Sequence, residues 1–165
     1  EGGLVAEIGF KESGVSDYDG ETITVISRDN TQKVYTFDDS NANATGATAA
    51  GNVVYVNISA SNGVNNVDKV AEEFVAALGH AAGHQAKVDA LASGHDVSLT
   101  DISSGSSAAS ISYSSSGSKW NNGAPGGAAP TSWDESGDYF IATANSVIFT
   151  ELPEANDVVV AQYWK

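Results

Sequence analysis

The three histidines, His80, His84 and His95, all fall in one stretch, AEEFVAALGHAAGHQAKVDALASGHDVSL. His80 and His84 are four apart, the spacing that sets two zinc ligands on one face of a helix. That face exists only if a helix runs on through Gly83. No H-E-x-x-H arrangement accompanies the pair, and no third ligand is fixed by spacing. Carboxylates are more plentiful. Asp17/Asp19, Asp38-Asp39 and Asp134-Glu135 form close pairs, but neighbours on a strand point to opposite faces, so adjacency alone makes no acid–base couple. The order in Ser16-Asp17-Tyr18-Asp19-Gly20-Glu21 matches the opening of a calcium loop, although the later ligands, including a Glu at the twelfth position, are missing. A polar turn before the first strand is the competing reading. Asn43-Ala44-Thr45 and Asn57-Ile58-Ser59 fit the glycosylation tripeptide, and Asn57 falls within a predicted strand. There is no Walker or Rossmann glycine loop, no G-x-S-x-G serine and no cysteine. The residues therefore predict no catalysis, no cofactor and no metal, with His80 and His84 exposed in loops and His95 at a hairpin tip.

The elements that would hold these side chains follow from hydrophobic periodicity. In ETITVISRDNTQKVYTFDD, Ile23, Val25 and Ser27 alternate with Thr22, Thr24 and Ile26. Val34, Tyr35 and Phe37 carry a second strand, and Arg28 to Gln32 supply the turn with Asp29-Asn30 at its tip. The small-residue loop SNANATGATAAGN leads to another strand, NVVYVNIS. Asn65 or Asn66 can then cap a helix whose stripe is Val67, Val70, Ala71, Phe74, Val75 and Leu78, with Asp68, Glu72 and Glu73 toward its positive end. This helix, 66 to about 80, is predicted to be the only substantial one and to pack on a sheet containing 22–28, 33–37 and 52–58. Gly79 and Gly83 interrupt the stripe, each costing about 1 kcal/mol against Ala in a helix. The period then changes to two, so AKVDALASGHDVSLTDI reads as a β-hairpin turning at Ser93-Gly94. The two-histidine face is broken by that switch.

Four segments are expected: an N-terminal arm over 1–20, with an edge strand as the competing reading, an α+β module over 21–114, a Ser/Gly/Pro-rich linker or loop over 115–132, and a C-terminal β segment over 133–165. Trp120 and Trp133 flank the linker and are the kind of residue that docks such a loop onto a neighbouring surface. DYFIATA, SVIFTE and DVVVAQYWK are strand-like runs, with Pro153 in a turn. The fold class is α+β and mainly β: antiparallel sheets built on a hairpin–strand–helix–hairpin module, one substantial helix and a C-terminal hairpin region.

The 165 residues suit one domain, or one with an appended subdomain. Twenty-one acidic residues against seven basic ones leave a net charge of −14, which opposes nucleic acid and anionic membrane surfaces as partners. No apolar run approaches the roughly 20 residues of a membrane helix. The absence of methionine reads as a processed chain or a fragment.

The segment from Gly20 to about Tyr113 resembles a module that recurs in structural proteins of tailed bacteriophages. The matching pieces are DGETITVISRDNTQKVYTFDD, VVYVNIS, NVDKVAEEFVAAL and KVDALASGHDVSLTDIS. The ending SVIFTELPEANDVVVAQYW is similar to a hairpin found in fibre and virion β-domains. The resemblance implies a virion structural protein, such as a capsid decoration protein, head fibre or tail component, acting in assembly and surface presentation. It transfers no active-site residues. The alternative is a secreted bacterial surface module: an adhesin repeat or extracellular filament subunit whose N-terminal arm adds a strand to its neighbour. On either reading the chain partners itself as a homo-oligomer, and on the first also other virion proteins. Leu4, Val5, Ile8 and Phe10 at one end, and Tyr163 and Trp164 at the other, are the residues expected at inter-subunit contacts, with packing inside the same chain as the competing reading.

Overall fold

A computed structural model describes residues 4–11, 14–62, 66–105, 107, 109–114, 119–121, 139–143 and 146–149. Along the chain the elements are β1 (Leu4–Phe10), a 3₁₀ turn (Val15–Tyr18), β2 (Thr22–Ile26), β3 (Gln32–Asp38), β4 (Val53–Asn57) and α1 (Ser59–Asn62). Then come α2 (Val67–Gly79), β5 (Val88–Ser93), β6 (Asp96–Asp101), β7 (Ser110–Tyr113), β8 (Trp120–Asn121), β9 (Tyr139–Thr143) and β10 (Ser146–Phe149). The chain divides into two units, Gly3–Asp134 and Glu1–Gly2 with Glu135–Lys165. In the smaller unit β9 and β10 form an antiparallel hairpin with a register shift between Ser146 and Val147.

The larger unit is built from two four-stranded sheets, ordered β5-β6-β1-β8 and β4-β3-β2-β7. Alternation sets their inner faces. Ile23 and Val25 of β2, Tyr35 and Phe37 of β3, Val54 and Val56 of β4 and Ile111 of β7 are all buried, and the residues between them are not. In the first sheet Ile8 and Phe10 of β1 and Val97 and Leu99 of β6 are buried. The two inner faces meet through aromatic rings. Phe10 lies 5.8 Å from Phe37 and 5.3 Å from Trp120, in edge-on geometry that suits the ring quadrupoles.

Helix α2 closes this core. Asn66 caps it, its side chain accepting the Asp68 N–H at 3.0 Å, and Asp68 complements the positive end of the dipole. Val67, Val70, Ala71, Phe74, Ala77 and Leu78 form the buried stripe, while Val75 is only partly buried. Phe74 reaches rings of both sheets: Phe10 at 6.0 Å, Tyr35 at 5.3 Å and Phe37 at 5.9 Å.

Three expectations are corrected. Residues 4–10 form a strand, the second of the two readings of this segment, and not an arm. β1 pairs with β6 over Leu4–Gly9 and with β8 at Gly9 and Phe10, and the Ile8 and Phe10 side chains have no exposed surface. Those two residues belong to the chain's own core, and β1 is held in the chain's own sheet by its pairing with β6 over Leu4–Gly9. Residue 120 is not in a linker: Trp120 is fully buried, in a strand that completes the first sheet. Finally, the second sheet is mixed, because β3 and β4 run parallel from Val34↔Val53 to Asp38↔Asn57. Parallel neighbours need a crossover of about a dozen residues or more, and the loop over 39–52 provides it with Gly46 and Gly51 at positive φ.

Candidate functional site

The densest set of chemically capable side chains gathers around the β2–β3 turn, residues Ser27 to Thr31. Asn30 takes a left-handed conformation at φ 64°, which Asn tolerates better than most residues. Asp29 organises the turn from within. Its Oδ1 accepts the Ser27 hydroxyl at 2.6 Å and the Thr31 N–H at 3.1 Å. Its Oδ2 meets Lys87 Nζ at 2.7 Å, and the same ammonium donates to Thr31 Oγ1 at 2.5 Å. The bond from Lys87, then that from Ser27, holds the Asp29 carboxyl well below the usual carboxylate range.

His84 approaches the turn from the loop after α2. It has no exposed surface. Its Nε2 lies 3.1 Å from the Thr31 carbonyl and its Nδ1 2.6 Å from the Tyr35 hydroxyl. A carbonyl can only accept, so Nε2 carries the proton and Nδ1 accepts from Tyr35. Burial lowers the His84 pKa, with the Thr31 bond opposing that shift. Burial likewise raises the Tyr35 pKa far above the ordinary phenol value. The pair is neutral.

The turn's other flank is held by Asp101. This carboxylate lies on the inner side of β6 and is fully buried. Oδ2 accepts the Arg28 N–H at 2.7 Å, and Oδ1 accepts the Ser103 N–H at 2.8 Å and hydroxyl at 2.6 Å. Arg28 Nη2 donates to the Ser103 carbonyl at 3.1 Å, and Ser107 N–H donates to the Arg28 carbonyl at 3.0 Å. Gly105 has to be glycine here, because a Cβ would sit 2.2 Å from that same carbonyl oxygen.

This constellation has a base, a phenol, a carboxylate and an ammonium, yet each is bound to a partner within the turn or its walls. Nucleophilic or acid–base work needs a proton donor or acceptor free to face substrate. His84 has neither nitrogen free. The arrangement is a latch that fastens the β2–β3 turn to the loop 80–88 and to the end of β6.

The other sequence candidates do not converge. α2 ends at Gly79, with His80 as an extended C-cap at ψ 151°, so His80 and His84 share no helical face. His80 is exposed as expected, but His84 is buried, a correction whose cause is the loop folding back so that His84 N–H bonds the Leu78 carbonyl at 2.9 Å. His95, at the β5–β6 tip, lies 3.9 Å from Asp68 Oδ1. In the D-x-D-G stretch each carboxylate turns elsewhere: Asp17 to Gly14 N–H at 3.1 Å, Asp19 to Asp39 N–H at 3.0 Å, and Glu21 to Lys119 at 2.7 Å. Among the described residues no group of three or more His, Cys, Asp or Glu is placed to hold a metal ion. Both sequon asparagines donate through their side-chain amides, Asn43 to Asp38 at 2.9 Å and Asn57 to the Asn43 carbonyl at 2.8 Å. The bonds from Ser40 and Asn43 hold the Asp38 carboxyl below its ordinary value. Of the residues expected at subunit contacts, Ile8 and Phe10 are in the core and Val5 is 38% exposed on the outer side of β1. Leu4 stands opposite Asp101 in the register, and Tyr163 and Trp164 lie outside the described residues.

Sequence reasoning missed the roles of Tyr35, Thr31, Lys87, Arg28, Asp101 and Ser103. One signal was available. Val97, Leu99 and Asp101 share a strand face, and a carboxylate on a buried face needs donors. Comparison with known proteins matches no family model, no curated protein and no solved structure.

Proposed function

We propose that this protein is a structural component of a tailed-phage virion, a capsid decoration, head fibre or tail element that works in assembly and surface presentation without catalysis. The observation that carries the reading is the state of the His84–Tyr35–Thr31–Lys87–Asp29 set. The groups best suited to chemistry hold a surface turn in place, as suits a rigid display domain. The resemblance of residues 20–113 to phage structural modules supports the virion location. The net charge of −14 supports solvent-facing display and argues against contact with packaged nucleic acid. The chain's partners on this reading are further copies of itself and other virion proteins.

The test is the protein composition of purified particles from a lysate in which the chain is made. Quantitative mass spectrometry should find it at many copies per particle, in a ratio to the major capsid or tail protein set by particle symmetry. Recovery of the chain only in the particle-free fraction would overturn the reading.

A further inference from the structure

The outer face of the second sheet differs in charge from the surfaces around it. Its register places Ser112, Thr24, Val34 and Val53 in one row across all four strands, with Thr36 and Tyr55 opposite each other in the next. Most of these side chains are half-buried, and none is ionisable near neutral pH. Asp38 stands at the rim, its carboxylate held by Ser40 and Asn43. The outer face of the first sheet carries Glu7, Asp89 and Asp96 instead, and the exposed side of α2 carries Asp68, Lys69 and Glu72. In a chain of net charge −14, two copies repel each other across nearly any pair of surfaces. They meet without juxtaposed charges where this face lies between them.

We propose that the uncharged outer face of the β4-β3-β2-β7 sheet is a homotypic docking surface that takes the same face of a second copy. The inference rests on the multi-copy structural role argued above and names the surface through which copies meet. A basic partner would be recognised by carboxylates, which the centre of this face lacks. A like copy needs only hydroxyl, methyl and ring contact, in a self-complementary two-fold arrangement. Strand addition at the β4 edge is closed, because Gly46 N–H and Ala47 carbonyl already bond Tyr55 at 2.9 and 2.8 Å. Four strands about 4.8 Å apart, each offering about five residues at 3.3 Å, span roughly 300 Å². That is well below the about 800 Å² per partner of a stable complex, so one contact is weak and holds where many copies are concentrated.

Sedimentation of the full chain from micromolar to millimolar concentration, at 0.15 M and 1 M NaCl, reads this directly. The intact chain should associate reversibly, and more tightly in high salt, where the Debye length falls to about 3 Å. Thr24→Asp and Thr24→Lys should each weaken association more than about tenfold by setting like charges against each other. An equimolar mixture of the two should recover it, which a misfolded variant cannot do, and Thr36→Asp with Thr36→Lys repeats the pattern one row away. Ser98→Asp, on the outer face of the first sheet, should associate as the intact chain does. An intact chain that stays monomeric throughout, a mixture that does not recover, or a Ser98→Asp as damaging as Thr24→Asp overturns the proposal. The virion reading fails separately: a chain that pairs through this face yet is absent from particles removes that reading and leaves the docking face standing.

Discussion

At the scale of single residues, His84 ties its protonation to the stability of the fold. Its neutral Nε2–H tautomer donates to the Thr31 carbonyl, accepts from the Tyr35 hydroxyl and leaves the buried site uncharged. Adding a proton to Nδ1 removes the acceptor on which Tyr35 depends and places a charge in a buried site. Lys33 adds to that penalty, and Asp101 and Asp29 oppose it. Because the folded-state pKa is depressed, the unfolded chain binds the proton first. The contribution of His84 is therefore fully present above about pH 6.5 and is lost as the pH falls from there through the folded value. Thermal unfolding of the intact chain between pH 7.5 and 5 should show this loss. His84→Gln, which keeps a donor and an acceptor without a titrating ring, should flatten it. An equal slope in both proteins would refute the coupling. Gly83 carries a second residue-scale prediction. A Cβ there would lie 2.2 Å from the Ala77 carbonyl oxygen and 2.8 Å from that of Leu78. Gly83→Ala should destabilise by about 1–3 kcal/mol or more in chemical denaturation, from overpacking. An unchanged midpoint would mean that the loop relaxes freely.

Among the elements, helix α2 was the most legible in the sequence and the β2–β3 turn the least. The apolar stripe from Val67 to Leu78 has one period and one cap, so type, length and buried face all follow from local chemistry. Phe74 is fully buried among three rings, and Phe74→Ala should cost about 3–5 kcal/mol, measured by denaturant unfolding. A cost under about 1 kcal/mol would mean that the core collapses into the space. The hairpin β5–β6 was equally plain, because alternation and Ser93-Gly94 point the same way. What periodicity could not supply was partnership across long separations. Nothing local in Asp29 or Lys87 joins residues fifty-eight positions apart, and nothing in Arg28 names Asp101. The parallel pairing of β3 with β4 was hidden for the same reason, since each strand reads alike whichever direction its neighbour runs. Gly83 was read as a helix interruption, and its actual reason, a close backbone approach, is visible only in three dimensions.

For the whole molecule, the N-terminal segment decides between two pictures of how the chain holds together. In the sequence, Leu4, Val5, Ile8 and Phe10 form a short apolar run in glycine-rich surroundings, which reads as an arm or an edge strand. In the fold, β1 lies between β6 and β8, and Phe10 is the ring on which Tyr18, Phe37, Phe74 and Trp120 converge at 5.3–6.0 Å. Removing residues 1–10 would strip two fully buried side chains from the core, open both neighbouring strands and leave Trp120 without the strand it pairs with. Each large buried side chain lost costs several kcal/mol, against a total stability of about 5–15 kcal/mol for a domain. The truncated chain should therefore lose its cooperative thermal transition and its fixed near-ultraviolet signal from tryptophan. An arm that served only assembly would behave in the opposite way, melting as the intact chain does while failing to associate. Circular dichroism and sedimentation on the same truncated sample separate the two, and a sharp melt in the truncated protein would show that the first strand is dispensable to the core.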